Sequence, residues 1–288
     1  MSAVLPSGFA ALEQRLALGL RPLDAVSGRL AGGLVRVEIE RFLPHAGVGR
    51  RAPYCEPQVP GRRPRMLCRH PSGRYALIYQ PGLTDTINLR LHDQVRRYVP
   101  RRLSVPLLTE AEVIARETAG TGADLNRRAR APVLFPAAAY PVYPRDTGLR
   151  GRVLRDGAPM RWALVEAIVP GSDPEQVIAR TRTDDRGECL LLLPAEAADI
   201  AELPSAVTLR IEISGPPAAP VPADPDLPGR DPLWDLPLEQ LADDSDPDPV
   251  ADGTAVPAGW QRSAAAREVT FPLGRLLTEA DEPAFVYT

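Results

Sequence analysis

Leu149-Arg150-Gly151-Arg152-Val153-Leu154-Arg155-Asp156-Gly157-Ala158-Pro159 leads into the run Trp162–Val169, then Gln176–Asp184, an Asp185-Arg186-Gly187 turn, and Glu188–Pro194. Short apolar runs punctuated by Asp-Gly and Arg-Gly turns predict antiparallel strands that close into a sandwich. The 33 prolines point the same way. Proline has no N–H to donate and is confined to turns, loops and strand edges, which disfavours a helical bundle.

Within this stretch, Gly151-Arg152-Val153 opens a strand, and Thr181-Arg182-Thr183-Asp184-Asp185-Arg186-Gly187 forms a Thr-x-Thr-Asp-x-x-Gly turn. The pattern resembles the carboxypeptidase regulatory-like, transthyretin-like family of small β-sandwiches. That resemblance implies a fold and no reaction. In the peptidases that carry it, the sandwich is an accessory to a separate zinc domain, and no His-x-x-Glu or His-Glu-x-x-His occurs here.

Working outward, Gly33–Leu43 alternates apolar with charged residues, as a half-buried strand does. Arg65–Arg69 and Arg74–Tyr79 flank a Pro71-Ser72-Gly73 turn, and Ile87–Leu91 and Leu103–Leu107 supply further strands. These elements run parallel to those of the second half. Arg65–Pro81 matches Ile178–Pro194, Leu89-Arg90-Leu91 matches Leu209-Arg210-Ile211, and Leu103–Leu107 matches Val269–Leu273. The expected fold is therefore all-β, with two tandem antiparallel Ig- or transthyretin-like sandwiches.

The expected boundaries are an N-terminal arm or helix over 1–27, a first sandwich over 28–108, and a helix-containing Pro-rich linker over 109–144. A second sandwich spans 145–275 with an acidic, Pro-rich insertion at 215–264, and a tail covers 276–288. Phe9, Leu12, Leu16, Leu18 and Leu20 suggest the short N-terminal helix, and Thr109 a cap for a linker helix at Glu110–Thr118. The insertion carries ten acidic residues and reads as an irregular surface loop.

A net charge of -3 offers no global field for nucleic acid. All 34 basic residues are arginine, which excludes lysine Schiff-base chemistry. Cys55, Cys68 and Cys189 are an odd set that fits reduced thiols. The first residues lack a signal-peptide pattern and no apolar run reaches a membrane span, so a cytoplasmic product is expected, released at most within an assembled particle.

Cys55, Cys68, His70 and His92 lack the paired spacing of a zinc site. No Gly-x-Ser-x-Gly elbow is present, and Asp243, Asp244, Asp246, Asp248 and Asp252 miss the calcium-loop register. We therefore expect no catalytic residue, cofactor or metal.

The most individual segment is Arg96-Arg97-Tyr98-Val99-Pro100-Arg101-Arg102, with four arginines around one tyrosine. Such a cluster binds phosphate or acidic protein surfaces, blunts an edge strand, or pairs with the acidic loop at 243–252, within the chain or in the next subunit. With the sandwich that follows, it is similar to accessory proteins of phage-tail-like contractile injection systems. This resemblance implies a collar, cap, baseplate or fibre-attachment part, in contact with other protein subunits and with copies of itself. Arg96, Arg97, Tyr98, Arg101, Arg102, Trp234, Leu236, Phe285 and Tyr287 are the candidate contact residues. The alternatives are a carbohydrate- or surface-polymer-binding module using Tyr140, Tyr143, Trp234 and Trp260, and an uncharacterised hydrolase.

Overall fold

Alternation of apolar and polar positions builds the strands: along Arg101–Pro106, residues 101, 103 and 105 are buried and their neighbours half-exposed. The computed structural model describes residues 15–32, 34–44, 51–55, 67–79, 83–120, 125–194, 205–242 and 247–288. Its first half holds β1 (Leu16–Leu20), β2 (Leu23–Asp24), β3 (Val35–Pro44), β4 (Arg51–Cys55), β5 (Cys68–Arg69), β6 (Tyr75–Ile78), β7 (Thr86–Asp93) and β8 (Arg101–Pro106). Helices α1 (Glu110–Ala119) and α2 (Leu125–Arg128) follow, then β9 (Ala129–Arg130) and β10 (Val133–Leu134).

The second half holds β11 (Gly148–Arg155), β12 (Ala158–Pro159), β13 (Leu164–Ile168), β14 (Val177–Arg182), β15 (Glu188–Leu192) and β16 (Ala206–Gly215). After the short α3 (Leu227–Arg230) come β17 (Leu238–Gln240), β18 (Gln261–Arg262), β19 (Arg267–Pro272), β20 (Leu276–Leu277) and β21 (Phe285–Tyr287). The chain is mostly strand, as the turn and proline pattern requires.

Each half buries its apolar residues between two sheets. In the first, β5-β6-β1-β9 faces β17-β8-β7-β3-β4 across Leu18, Leu20, Leu77, Val37, Leu89, Leu91 and Leu103. In the second, β11 with β12, β15, β20 and β21 faces β14-β13-β16 with β18 and β19 across Leu149, Leu191, Val165, Ile211 and Phe271. Helix α1 lies where the linker reading puts it. Thr109 Oγ1 accepts the Glu112 N–H at 3.2 Å, the Glu112 carboxylate returns to the Thr109 N–H, and Gly120 ends the helix at φ 66°.

The N-terminal helix is corrected to a strand. Leu16–Leu20 pairs antiparallel with β6 and parallel with β9, while Phe9 and Leu12 lie outside the described residues. The spacing of the leucines suits either period, but Gly19 weakens a helix and Leu18 and Leu20 are needed in the core.

Two of the three matched pairs occupy matched places, but Arg65–Pro81 and Ile178–Pro194 do not: β5 and β6 pair within one sheet, whereas β14 and β15 lie in different sheets. Strand order β4-β3-β7-β8 in one half parallels β14-β13-β16-β19 in the other. Leu89 opposes Leu103 as Leu209 opposes Val269, and Ile87 opposes Val105 as Val207 opposes Phe271. The turns agree as well. The Gly73 N–H donates to the His70 carbonyl and the Gly187 N–H to the Asp184 carbonyl, with φ 85° and 73° at the two glycines.

At Gly187 a side chain is excluded twice over. The backbone is left-handed, and a Cβ would stand 2.7 Å from the Val153 carbonyl and 3.1 Å from the Met160 nitrogen. Gly157 is also left-handed, at φ 77°, but nothing lies within 4 Å of its Cβ position. Gly157→Ala should therefore cost only the left-handed penalty of about 1–2 kcal/mol. Gly187→Ala should cost more, with a correspondingly larger fall in Tm by calorimetry. Equal shifts would contradict the crowding at this turn.

Candidate functional site

The residues with unusual chemistry converge on the seam between the two halves. β17, which belongs to the insertion of the second half, adds in parallel to the edge of β8 in the first. Leu238 stands opposite Arg102, Glu239 opposite Leu103 and Gln240 opposite Ser104, and the Leu241 N–H donates to the Ser104 carbonyl at 3.0 Å. Part of the segment read as an irregular surface loop is thus a sheet strand. Its local composition gives no hint of this, because the pairing partner is more than a hundred residues away.

Docking carries Glu239 inside, where it is 4% exposed. Arg101 grips both its oxygens, Nε at 3.0 Å from Oε1 and NH2 at 2.8 Å from Oε2, and Arg182 of β14 donates to Oε2 at 2.6 Å. The remaining Arg101 donors reach the carbonyls of Val133, Ala251 and Val250 at 2.8, 2.9 and 2.5 Å. The Arg182 guanidinium lies 5.7 Å from the Phe135 ring centre. Burial alone would raise the Glu239 carboxyl, but the two guanidiniums outweigh it and hold the carboxyl at about 2. Burial pulls Arg182 below its ordinary value, yet a guanidinium keeps its proton under working conditions.

Around this centre further charges fasten the insertion to the first half. Arg90 is bound by Glu40 and by Asp231, the latter at 2.8 Å, while Arg102 Nε reaches Glu40 at 2.8 Å. Arg130 faces Asp248 at 3.6 Å, and Asp248 accepts the N–H groups of Ala242, Val250 and Ala251. Asp248 is therefore buried rather than solvated, whereas Asp243, Asp244 and Asp246 fall outside the described residues. An apolar seam completes the contact: Val99, Phe135 and Ala137 pack on Trp162 and Leu236, and the Trp162 indole donates to Asp235 at 2.9 Å.

The candidate contact residues are placed accordingly. Tyr98 is buried and shares Asp24 Oδ2 with Tyr140, both at 2.8 Å. Arg97 binds Asp93 and the Gly32 carbonyl, each at 2.9 Å. Arg96, at φ 58°, pairs with Asp185 across the seam. Arg101, Arg102 and Leu236 belong to the seam itself. Trp234 is half-buried and its indole nitrogen lies out of solvent.

Phe285 and Tyr287 pair with their own β11 rather than projecting, and the Tyr287 hydroxyl donates to the Gln261 carbonyl at 3.1 Å. As outward-facing partner contacts, Tyr98, Arg101, Leu236, Phe285 and Tyr287 are corrected: each is under 9% exposed within this one chain. Of the four arginines in the cluster, Arg101 alone pairs with a carboxylate of the insertion, Glu239, which precedes the acidic run at 243–252; Arg96, Arg97 and Arg102 pair with Asp185, Asp93 and Glu40. Sequence reading missed Glu239, Asp231, Glu40 and Arg182, whose roles depend on opposite charges remote in the chain.

Two clefts of about 270 Å³ border the seam. One is lined by His92, Asp93, Arg96, Trp162, Asp184 and Asp185. Burial raises the Asp184 carboxyl, but its Oδ1 caps the N–H groups of Arg186 and Glu188, so it serves the turn. His92 pairs with Glu38 at 3.4 Å. The other cleft includes Asp24, Phe135, Arg180 and Asp252. Cys68 is exposed on β5, His70 Nδ1 meets the Ser72 hydroxyl at 2.8 Å, and the Cys55 side chain lies outside the described residues. Among the described residues no group of three or more metal-capable side chains is gathered. Burial raises the Cys189 thiol to about 12, which leaves it a packing residue.

Because Glu239 is held at about 2 against an ordinary 4.5, its pairing contributes fully above pH 4.5 and is lost as pH falls through 2. Glu239→Gln should flatten the acid slope of stability in that window. At neutral pH it should cost about 3–5 kcal/mol in denaturant titration, since two buried cations lose their anion. Asp185→Asn breaks the exposed pair with Arg96 and should cost less than about 1 kcal/mol. Comparable losses for the two variants would contradict the weight placed on the buried centre.

Comparison with protein-family models, with curated proteins and with solved structures returned no match for this chain.

Proposed function

We propose that the chain is a non-catalytic structural or adaptor protein, built from two transthyretin-like sandwiches in tandem and working as one stiff piece in a multi-subunit assembly. The observation that carries this reading is the seam. Its charged side chains are bound to one another and to backbone carbonyls across the two halves, the use expected where relative orientation must be kept. A reactive centre needs instead a base and a nucleophile facing an accessible space. Both clefts are shallow in such chemistry, and their best-placed carboxylates, Asp24 and Asp184, already accept hydrogen bonds from tyrosines and turn amides.

The arginine-rich segment followed by a regulatory-like sandwich fits a collar, cap, baseplate or fibre-attachment part of a phage-tail-like contractile injection system. In that setting the faces and edges left open by the seam would meet other subunits. The polymer-binding alternative needs aromatic rings converging on one face. Tyr140 is instead bound to Asp24, while Tyr143 is 68% exposed and isolated in a turn.

Mass measurement tests the reading. Native mass spectrometry and sedimentation of the chain at its natural abundance should place it in a defined multiple of 31.2 kDa or in a large particle of fixed stoichiometry. A strict monomer that co-sediments with nothing would contradict it. No helix among the described residues is long and apolar enough to cross a membrane.

A further inference from the structure

The two halves treat one equivalent strand edge differently. In the first, the outer edge of β8 carries β17. In the second, β19 stands in the place of β8, and among the described residues it pairs only with β16. The matched registers put Arg267 where Arg101 stands: Arg101 opposes Leu91 on β7, and Arg267 opposes Ile211 on β16.

Arg101 uses its Nε to hold Glu239 of the added strand, at 3.0 Å. The same atom of Arg267 is buried and has no hydrogen-bond partner. The rest of that side chain is anchored. NH2 donates to the Pro283 carbonyl at 2.8 Å and faces Glu282 at 3.6 Å, and the guanidinium lies 4.0 Å from the Phe285 ring centre. A buried N–H without an acceptor is costly, and Arg267 Nε, one of several such atoms among the described residues, lies on the strand whose outer side carries no described partner. Alternation puts the exposed side chains of Glu268 and Thr270 on the opposite face from Arg267.

We propose that the outer edge of β19 takes an extended strand from a partner protein, added in parallel, with an acidic residue seated against Arg267 Nε. This rests on the adaptor reading and gives it a place of attachment. Main-chain pairing to an open edge supplies affinity, and one side chain in a set position supplies selectivity. The chemistry of the incoming segment follows from the built example, Leu238-Glu239-Gln240: an apolar residue, a carboxylate, a polar residue. A second copy is the poorer donor, because its own segment of that chemistry already lies on β8.

A synthetic peptide with the sequence of residues 235–242 is the probe, added to the full chain and followed by amide hydrogen exchange and calorimetric titration. It should protect the Glu268 and Thr270 amides while Arg102 and Ser104 are unchanged. Replacing its glutamate by glutamine, or using the Arg267→Met chain, should weaken binding at least tenfold. The peptide substitution keeps the test decisive if Arg267→Met does not fold.

Lack of protection at millimolar peptide, protection gained at Arg102 and Ser104 instead, or equal binding of the glutamine peptide would each overturn the proposal. Protection at 268–270 that rises with chain concentration alone would assign the edge to a second copy and overturn it as well. Of these outcomes only the last touches the particle mass, and it would support the adaptor reading while overturning this proposal, so the two fail distinguishably.

Discussion

Glu239 sits between Arg101 and Arg182, out of water, and the joining of the two halves depends on it. Taking three charges from solvent is expensive, and their attraction repays that when the donors are well met; Arg101 is met fully, while Arg182 keeps one buried Nε without an acceptor. Here the arginine fork takes both carboxylate oxygens while carbonyls of Val133, Val250 and Ala251 take its other N–H groups. Arginine suits this place because its planar donors are fixed in space and its proton is not lost on burial. The arrangement needs all three pieces of chain together: β8 of the first half, β14 of the second, and β17 of the insertion.

That dependence explains how the molecule divides its work. Each half is strand-rich and gathers its apolar residues into one buried cluster. What distinguishes the halves is attached to them. The insertion leaves the second half after β16 and covers the edge of β8 before the chain enters β19. Among the described residues one edge is covered and its counterpart pairs only with β16. A protein that only had to fold alone gains little from such an asymmetry, since open edges invite unwanted pairing. A protein that must be stiff and also attach to something gains from both.

How much of this the sequence disclosed depends on the range of the interactions. The Gly187 turn, the alternating strands around it, and the correspondence of Leu89 and Leu103 with Leu209 and Val269 are local patterns, and they were legible. Leu16–Leu20 is ambiguous in sequence because three leucines and an alanine around a glycine satisfy either period until the partners β6 and β9 are known. The arginine cluster was recognised as unusual, but its target was not. Arg101 and Glu239 are 138 residues apart, and no property of Leu238-Glu239-Gln240 by itself says that the middle residue is buried. A charge inside a protein is decided by what meets it, which single-chain periodicity does not encode.

The buried charges of the seam should make the two halves one mechanical and thermodynamic body. Differential scanning calorimetry of the intact chain at neutral pH tests it most directly. The account predicts one transition whose calorimetric and van't Hoff enthalpies agree, because neither half keeps its edge and its buried charges without the other. Two separable transitions, each with the enthalpy of half the chain, would contradict it.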